Sequence, residues 1–308
     1  MTKTAFLFAG QGAQYLGMAR DLYEQYDVVK STFEEASQVL GYDVRALIDQ
    51  DEEKLNQTRY TQPAILTTSL AIYRLLAEKG IRPDMVAGLS LGEYSALVAA
   101  GALDFQTAVA LVAKRGAFME EAAPAGSGKM VAVLNAEVAL IEEACQTASQ
   151  LGVVSPANYN TPGQIVIGGD VAAVDKAVEL LKEAGVKRLI PLNVSGPFHT
   201  ALLKPASEQL TQVLAETEFA EFQLPLVGNT EADIMETGRI KELLTRQVME
   251  PVRFYDSIAK MQEAGVTEFI EIGPGKVLSG FLKKIDKSAK VAHVEDVRSL
   301  STLLENKE

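Results

Sequence analysis

The sequence predicts an α/β fold, a parallel sheet covered by helices on both faces and interrupted by a smaller inserted unit. Three observations predict it. Short apolar runs alternate with stretches of helical periodicity toward both ends of the chain. A glycine-rich linker, Pro124-Ala125-Gly126-Ser127-Gly128, breaks that rhythm, and the segment after it scans as β-α-β-β-α-β.

Taken in order, residues 4–9 are the first buried strand, a continuous apolar run closed by Gly10-Gln11-Gly12. Residues 63–79 carry helical periodicity. The second strand is 84–88, followed by a helix from Leu91 and another over 104–121. Beyond the linker come a strand at 129–135, a helix at 137–151, a strand at 153–158 and a turn at Thr161-Pro162-Gly163. A strand at 164–168, a helix at 171–184 and a strand at 186–193 complete that unit. A helix over 200–216 returns to the first rhythm, and strands are expected at 224–228, 267–272 and 290–294. Parallel strands covered on both faces read as unbroken apolar runs, as these do. The expected division is a catalytic body of residues 1–125 and 197–308 with residues 126–196 inserted. A cleft between two such units is a natural substrate site.

Composition excludes several classes. Among 308 residues, 47% are hydrophobic and 23% charged, ordinary values for a folded chain. The net charge of -12 argues against general nucleic-acid binding. No run approaches the roughly 20 apolar residues that span a bilayer. The apolar opening meets Gly10-Gln11-Gly12 too soon for a cleavable leader, so the cytoplasm is the expected compartment. The single Cys145 cannot close an internal disulfide and reads as a packed thiol in a helix. With two histidines and one cysteine far apart in sequence, no metal site is expected.

The chemistry starts at Gly88-Leu89-Ser90-Leu91-Gly92, a G-x-S-x-G pattern between a strand and a helix. A serine on so sharp a turn needs neighbours without side chains, and the turn presents the hydroxyl at the carboxyl edge of the sheet. Its base must be His199 or His293. His199 stands between a loop and a helix and can face a cleft, whereas His293 falls inside a strand; we favour His199. Arg115 shares a helical stripe with Ala108, Val112 and Met119, where a buried guanidinium needs an anion. That anion is either a protein carboxylate or the carboxylate of a substrate. Gly273-Pro274-Gly275-Lys276 lacks the spacing of a dinucleotide or Walker loop and reads as a tight turn.

Together these segments resemble the malonyl-CoA:acyl carrier protein transacylases and the acyltransferase domains of polyketide synthases. Seven segments in order carry the resemblance: the opening loop 8–14, the elbow 88–94, Lys114-Arg115-Gly116, residues 158–168, 195–200, 247–254 and 271–278. The resemblance implies a large α/β-hydrolase-like domain with a ferredoxin-like (βαββαβ) insertion. It also implies Ser90 as nucleophile, His199 as base, and the N–H groups of Gln11 and Leu91 as oxyanion hole. Arg115 would hold the acyl carboxylate, with Gln247 nearby and Asn158 in the small-domain segment facing substrate. In this family a backbone carbonyl, not a carboxylate, orients the histidine, so no catalytic Asp is nominated. Two features bear on selectivity and packing. Leu89 replaces a histidine common before the serine, and Phe198 before the catalytic histidine accompanies malonyl selection among polyketide relatives.

The implied reaction is ping-pong transfer of malonyl from malonyl-CoA to the phosphopantetheine thiol of acyl carrier protein through an ester on Ser90. It requires no cofactor, and a monomer is expected. Acyl carrier proteins are acidic, and Lys283, Lys284 and Lys287, with Lys276 and Lys290 beside them, form a basic patch that either receives the carrier or is a solvated helix face. The rival readings are a serine thioesterase or esterase using Ser90 and His293, and a non-catalytic carrier-binding subunit.

Overall fold

The run after Thr2 forms β1 (Lys3–Phe8), and the strand before the G-x-S-x-G turn forms β2 (Met85–Gly88), in a computed structural model that describes residues 2–194 and 196–307. Met1, Ser195 and Glu308 lie outside the described residues, and with them the first position of the 195–200 segment. The middle of the chain supplies β3 (Lys129–Leu134), β4 (Val154–Thr161), β5 (Gln164–Gly169) and β6 (Arg188–Pro191). The last strands are β7 (Val266–Ile272) and β8 (Lys290–Val294).

The first sheet is parallel, in the order β2-β1-β7-β8. Its side chains alternate between two cores. Phe6, Phe8, Val86, Ile270 and Ile272 join one apolar cluster, while Ala5, Leu7, Met85, Ala87 and Phe269 join another. Both faces are therefore buried, which is why the strands read as unbroken apolar runs. The second sheet is antiparallel, in the order β4-β5-β3-β6. Val131, Val133, Ile165 and Ile167 of one face pack with residues of the helices Val138–Ala148 and Val171–Glu183. Met130, Ala132, Ala157 and Val166 form a separate small cluster on the opposite face. The second sheet is tied to the segment at Val252, whose side chain packs in a core of the first sheet: the Tyr159 N–H donates to Val252 O at 2.8 Å and the Val252 N–H to Ala157 O at 2.9 Å.

Three expected elements differ. Residues 224–228 are no full strand: Leu226 bridges Val86 and Val227 bridges Ile234, and nothing longer forms. Pro225 offers a carbonyl to Val86 but has no N–H, and Gly228 already turns the chain back, its N–H donating to Asp233 O at 2.9 Å. The strand expected over 186–193 shrinks to Arg188–Pro191, because the Val186 N–H is committed to Leu181 O at the end of the preceding helix. The helix expected to open at Pro63 instead spans Thr58–Glu78, with Pro63 inside it. That earlier start carries Gln62, fully buried, into the site described next.

Candidate active site

Ser90 stands between β2 and the helix Leu91–Ala99, with φ 55° and ψ -107°. The glycines around it are demanded by contact. A Cβ on Gly88 would lie 2.0 Å from Gly92 carbonyl atoms, and one on Gly92 would lie 2.1 Å from Phe8 O. A Cβ on Gly10 would meet Leu89 O at 2.3 Å, which explains the glycine of the opening loop. The turn is held from behind as well: the Ser90 N–H donates to Asn229 Oδ1 at 2.7 Å.

His199, 4% exposed, brings Nε2 to 2.8 Å from Ser90 Oγ and Nδ1 to 2.7 Å from Gln247 O. A carbonyl can only accept, so Nδ1 carries the proton and Nε2 keeps its lone pair toward the serine hydroxyl. Burial, and then the charge of Arg115, pushes the His199 pKa down to about 4, so the imidazole is neutral near pH 7. This arrangement can take a proton from Ser90 as the hydroxyl attacks an electrophile. Among the described residues no carboxylate takes part in it.

Arg115 is 1% exposed. It donates to Gln62 Oε1 at 2.8 Å, to Ser90 Oγ at 3.1 Å and to Gln247 Oε1 at 2.9 Å. All three acceptors are neutral, and the Arg115 Nε has no partner among the described residues. The guanidinium also lies 5.2 Å from the centre of the Tyr94 ring. Of the two anions open to the sequence reading, the protein carboxylate is not among these partners. Neutral acceptors can be exchanged for a substrate carboxylate, whose charge-assisted bonds are roughly twice as strong.

Above Ser90 and His199 opens a cleft of about 400 Å³. Gln11 lines it from the loop after β1, Phe198 from the segment that leaves β6, and Asn158, Met130 and Val166 from the second sheet. Among the described residues, the Gln11 and Leu91 N–H groups have no protein acceptor, unlike the Ser90 N–H beside them. Lys283, Lys284 and Lys287 lie exposed on or just after the helix Val277–Ile285, whose Val277, Leu278 and Phe281 reach the cleft. His293 is in β8, 3.6 Å from Glu295, and does not line the cleft. Cys145 is packed in the core of the second sheet, and burial raises its thiol to about 12.

Three site residues had no role in the sequence reading: Gln62, Glu93 and Asn229. Gln62 had a signal, a lone amide in the apolar run that continues Pro63-Ala64-Ile65-Leu66. Glu93 had a weaker one, a carboxylate inside the apolar helix that follows Ser90. Asn229 sits in an irregular segment and had none.

Comparison with known proteins adds the following. A family model described as an acyl transferase domain matches residues 5–308. The chain is 49% identical over 308 residues to the malonyl CoA-acyl carrier protein transacylase of Bacillus subtilis, covering 99% of this chain and 97% of that protein. The crystal structure of MCAT from Streptococcus pneumoniae superposes with a TM-score of 0.98 at 74% identity, covering 99% of this chain and all (100%) of that one. A malonyl-transacylase solved in complex with its type II polyketide synthase acyl-carrier protein superposes at 0.96 with 47% identity, covering 99% of this chain and 100% of that one.

Proposed function

The chain belongs to the acyl transferase domain family, and from that premise we infer that it transfers malonyl from malonyl-CoA to acyl carrier protein, with Ser90 as nucleophile and His199 as base. The observation that carries this reading is the 2.8 Å contact between Ser90 Oγ and a buried, neutral His199 Nε2. His199 removes the Ser90 proton as Oγ attacks the thioester carbonyl. The oxyanion so formed is met by the Gln11 and Leu91 N–H groups, each such donor typically worth about 3 kcal/mol. The tetrahedral intermediate collapses, the coenzyme A sulfur leaves with the proton held by His199, and malonyl remains as an ester on Ser90. The carrier's phosphopantetheine thiol then repeats the sequence in reverse, His199 taking its proton and returning one to Ser90. Nucleophile, base and anion holder are all side chains of this chain, so the chemistry needs no metal or cofactor.

Arg115 binds the malonyl carboxylate, with Gln247 and Gln62 steering its donors, while Phe198 and Asn158 shape the cleft around the acyl chain and its thioester arm. Residues 126–196 are an inserted unit that roofs the cleft over a body of residues 1–125 and 197–308. The carrier docks on Lys283, Lys284 and Lys287, on or just after the helix whose Val277, Leu278 and Phe281 line the cleft. The same reading takes the protein as a monomer of the cytoplasm that supplies fatty-acid synthesis; among the described residues no helix is long and apolar enough to cross a membrane.

Replacing each histidine in turn tests the assignment of the base. His199→Ala should lower malonyl transfer by on the order of a hundred- to ten-thousand-fold, and His293→Ala should leave it near the unsubstituted rate. The reverse pattern would transfer the role to His293 and favour a hydrolase.

A further inference from the structure

Behind Ser90 lies a carboxylate that the reaction does not use. Glu93 is 1% exposed, three residues into the chain beyond the nucleophile. Its described partners are two uncharged donors: the Asn229 N–H, 2.9 Å from Oε1, and Gln247 Nε2, 2.5 Å from Oε2. Burial pushes its pKa up to about 7, and the two donors together with the charge of Arg115 draw it back. A carboxylate held so far from water stands to gain from a role that an apolar residue cannot fill.

The role follows from the amide it meets. The two ends of Gln247 are a donor and an acceptor of similar shape, and which end faces Arg115 depends on what the other end finds. Nε2 finds three acceptors: Glu93, the Ser90 carbonyl at 3.0 Å and Asn229 Oδ1 at 3.3 Å. Oε1 is thereby left to accept from Arg115 Nη2 at 2.9 Å. Asn229 is fixed in the same way, its Nδ2 donating to Gly88 O and its Oδ1 accepting the Ser90 N–H. Glu93 thus ties the nucleophile helix to the 229 segment and to the end of the helix Ile240–Gln247, whose last residue serves both Arg115 and His199.

We propose that Glu93 is a positioning residue for acyl selection: by holding the Gln247 amide in one orientation it keeps the Arg115 fork aimed for a malonyl carboxylate. The proposal rests on the malonyl-transfer reading above. Two donors converge on position 93, and a carboxylate accepts both, whereas an amide accepts one and opposes the other. In Glu93→Gln, therefore, either Asn229 shifts or Gln247 turns its donor end toward Arg115.

The test is a double-mutant cycle read as the ratio of kcat/KM for malonyl-CoA to that for acetyl-CoA. Glu93→Gln should lower this ratio about tenfold or more, the size of one lost hydrogen bond to a charged group, chiefly through the malonyl KM. Combined with Gln247→Met it should lower the ratio no further than Gln247→Met alone, because Glu93 acts through Gln247. Equal losses with both donors, or losses that multiply in the double variant, would overturn the proposal, since a merely structural carboxylate reduces the active fraction without changing preference. Should Glu93→Gln fail to fold, Glu93→Asp takes its place in the cycle: it keeps the charge, withdraws the oxygens by one methylene, and should lower the same ratio about threefold. An unchanged ratio there would count equally against the proposal. Unsubstituted protein acylated by malonyl-CoA is the control; failure at that step would count against the malonyl-transfer reading itself.

Discussion

In the proposed reaction, Arg115 is the residue on which acyl choice turns. Its cost of burial is met within the protein by two amides and a hydroxyl, none of them charged. A malonyl carboxylate improves on them, whereas an acetyl group offers nothing and leaves a desolvated guanidinium less well paired. Arg115→Ala should therefore cut malonyl transfer at least a hundredfold more than acetyl transfer, the order expected for a lost buried ion pair; steady-state kinetics with both donors reads the difference, and equal losses would remove Arg115 from selection. His199 gives a second prediction at this scale. Its pKa lies depressed, at about 4 against an ordinary 6.5, with burial the first cause and Arg115 the second. The general base works unprotonated, so the depression extends its working range toward acid. Folding stability carries the same sign: the unfolded chain takes this proton first, so stability drops as pH falls from 6.5 toward 4. With only two histidines in the chain, an NMR titration assigned through His293→Ala can follow the ring directly. His199 should stay neutral until pH approaches 4, and protonation near 6.5 would contradict its buried setting. Ser90, His199 and Arg115 were legible because each stands in a telling context: a glycine-flanked turn, one of only two histidines, and a charge on an apolar helical stripe. Glu93 and Asn229 were not, since their meaning lies in which atoms face them across long sequence separations.

Among the elements, the turn that carries Ser90 is the most constrained. Gly88, Gly92 and Gly10 each let a backbone approach that a methyl group would block, and Ser90 itself holds a positive φ that L-residues adopt at a cost. That is why the G-x-S-x-G spacing, weak as a string, becomes informative once a strand precedes it and a helix follows. Strands buried on both faces were equally legible from their unbroken apolar runs. The run at 224–228 has the same composition yet makes isolated bridges, because a proline and an early turn limit its pairing. The periodic stretch at 63–79 likewise under-reads its helix, which begins at Thr58 and runs through Pro63. The helix Val277–Ile285 has two faces with different uses: Leu278 and Phe281 reach the cleft, while Lys283 and Lys284 point to solvent. Reversing the charge at Lys283 and Lys284 should raise the KM for acyl carrier protein about tenfold at low salt and leave the KM for malonyl-CoA alone, the mark of long-range attraction between complementary surfaces. An unchanged carrier KM would reduce the patch to a solvated face.

At the scale of the molecule, a parallel sheet supplies the reactive turn and an antiparallel sheet lends one of its faces to the cleft above it. The net charge of -12 says little about an acidic partner, because charge is local: residues 276–290 hold five lysines against a single Asp286. The alternation of strands and helices and the β-α-β-β-α-β order were visible in the sequence, since both are periodic signals. How the second sheet lies over the first was not, because it depends on backbone bonds such as those between Ala157, Tyr159 and Val252 that no local pattern announces. The central claim is a covalent malonyl intermediate on Ser90, and intact-protein mass spectrometry after brief mixing with malonyl-CoA tests it most directly. The account predicts a malonyl adduct on Ser90 that persists in water and clears when holo-acyl carrier protein is added. No adduct, or one that water removes as fast without the carrier, would contradict it.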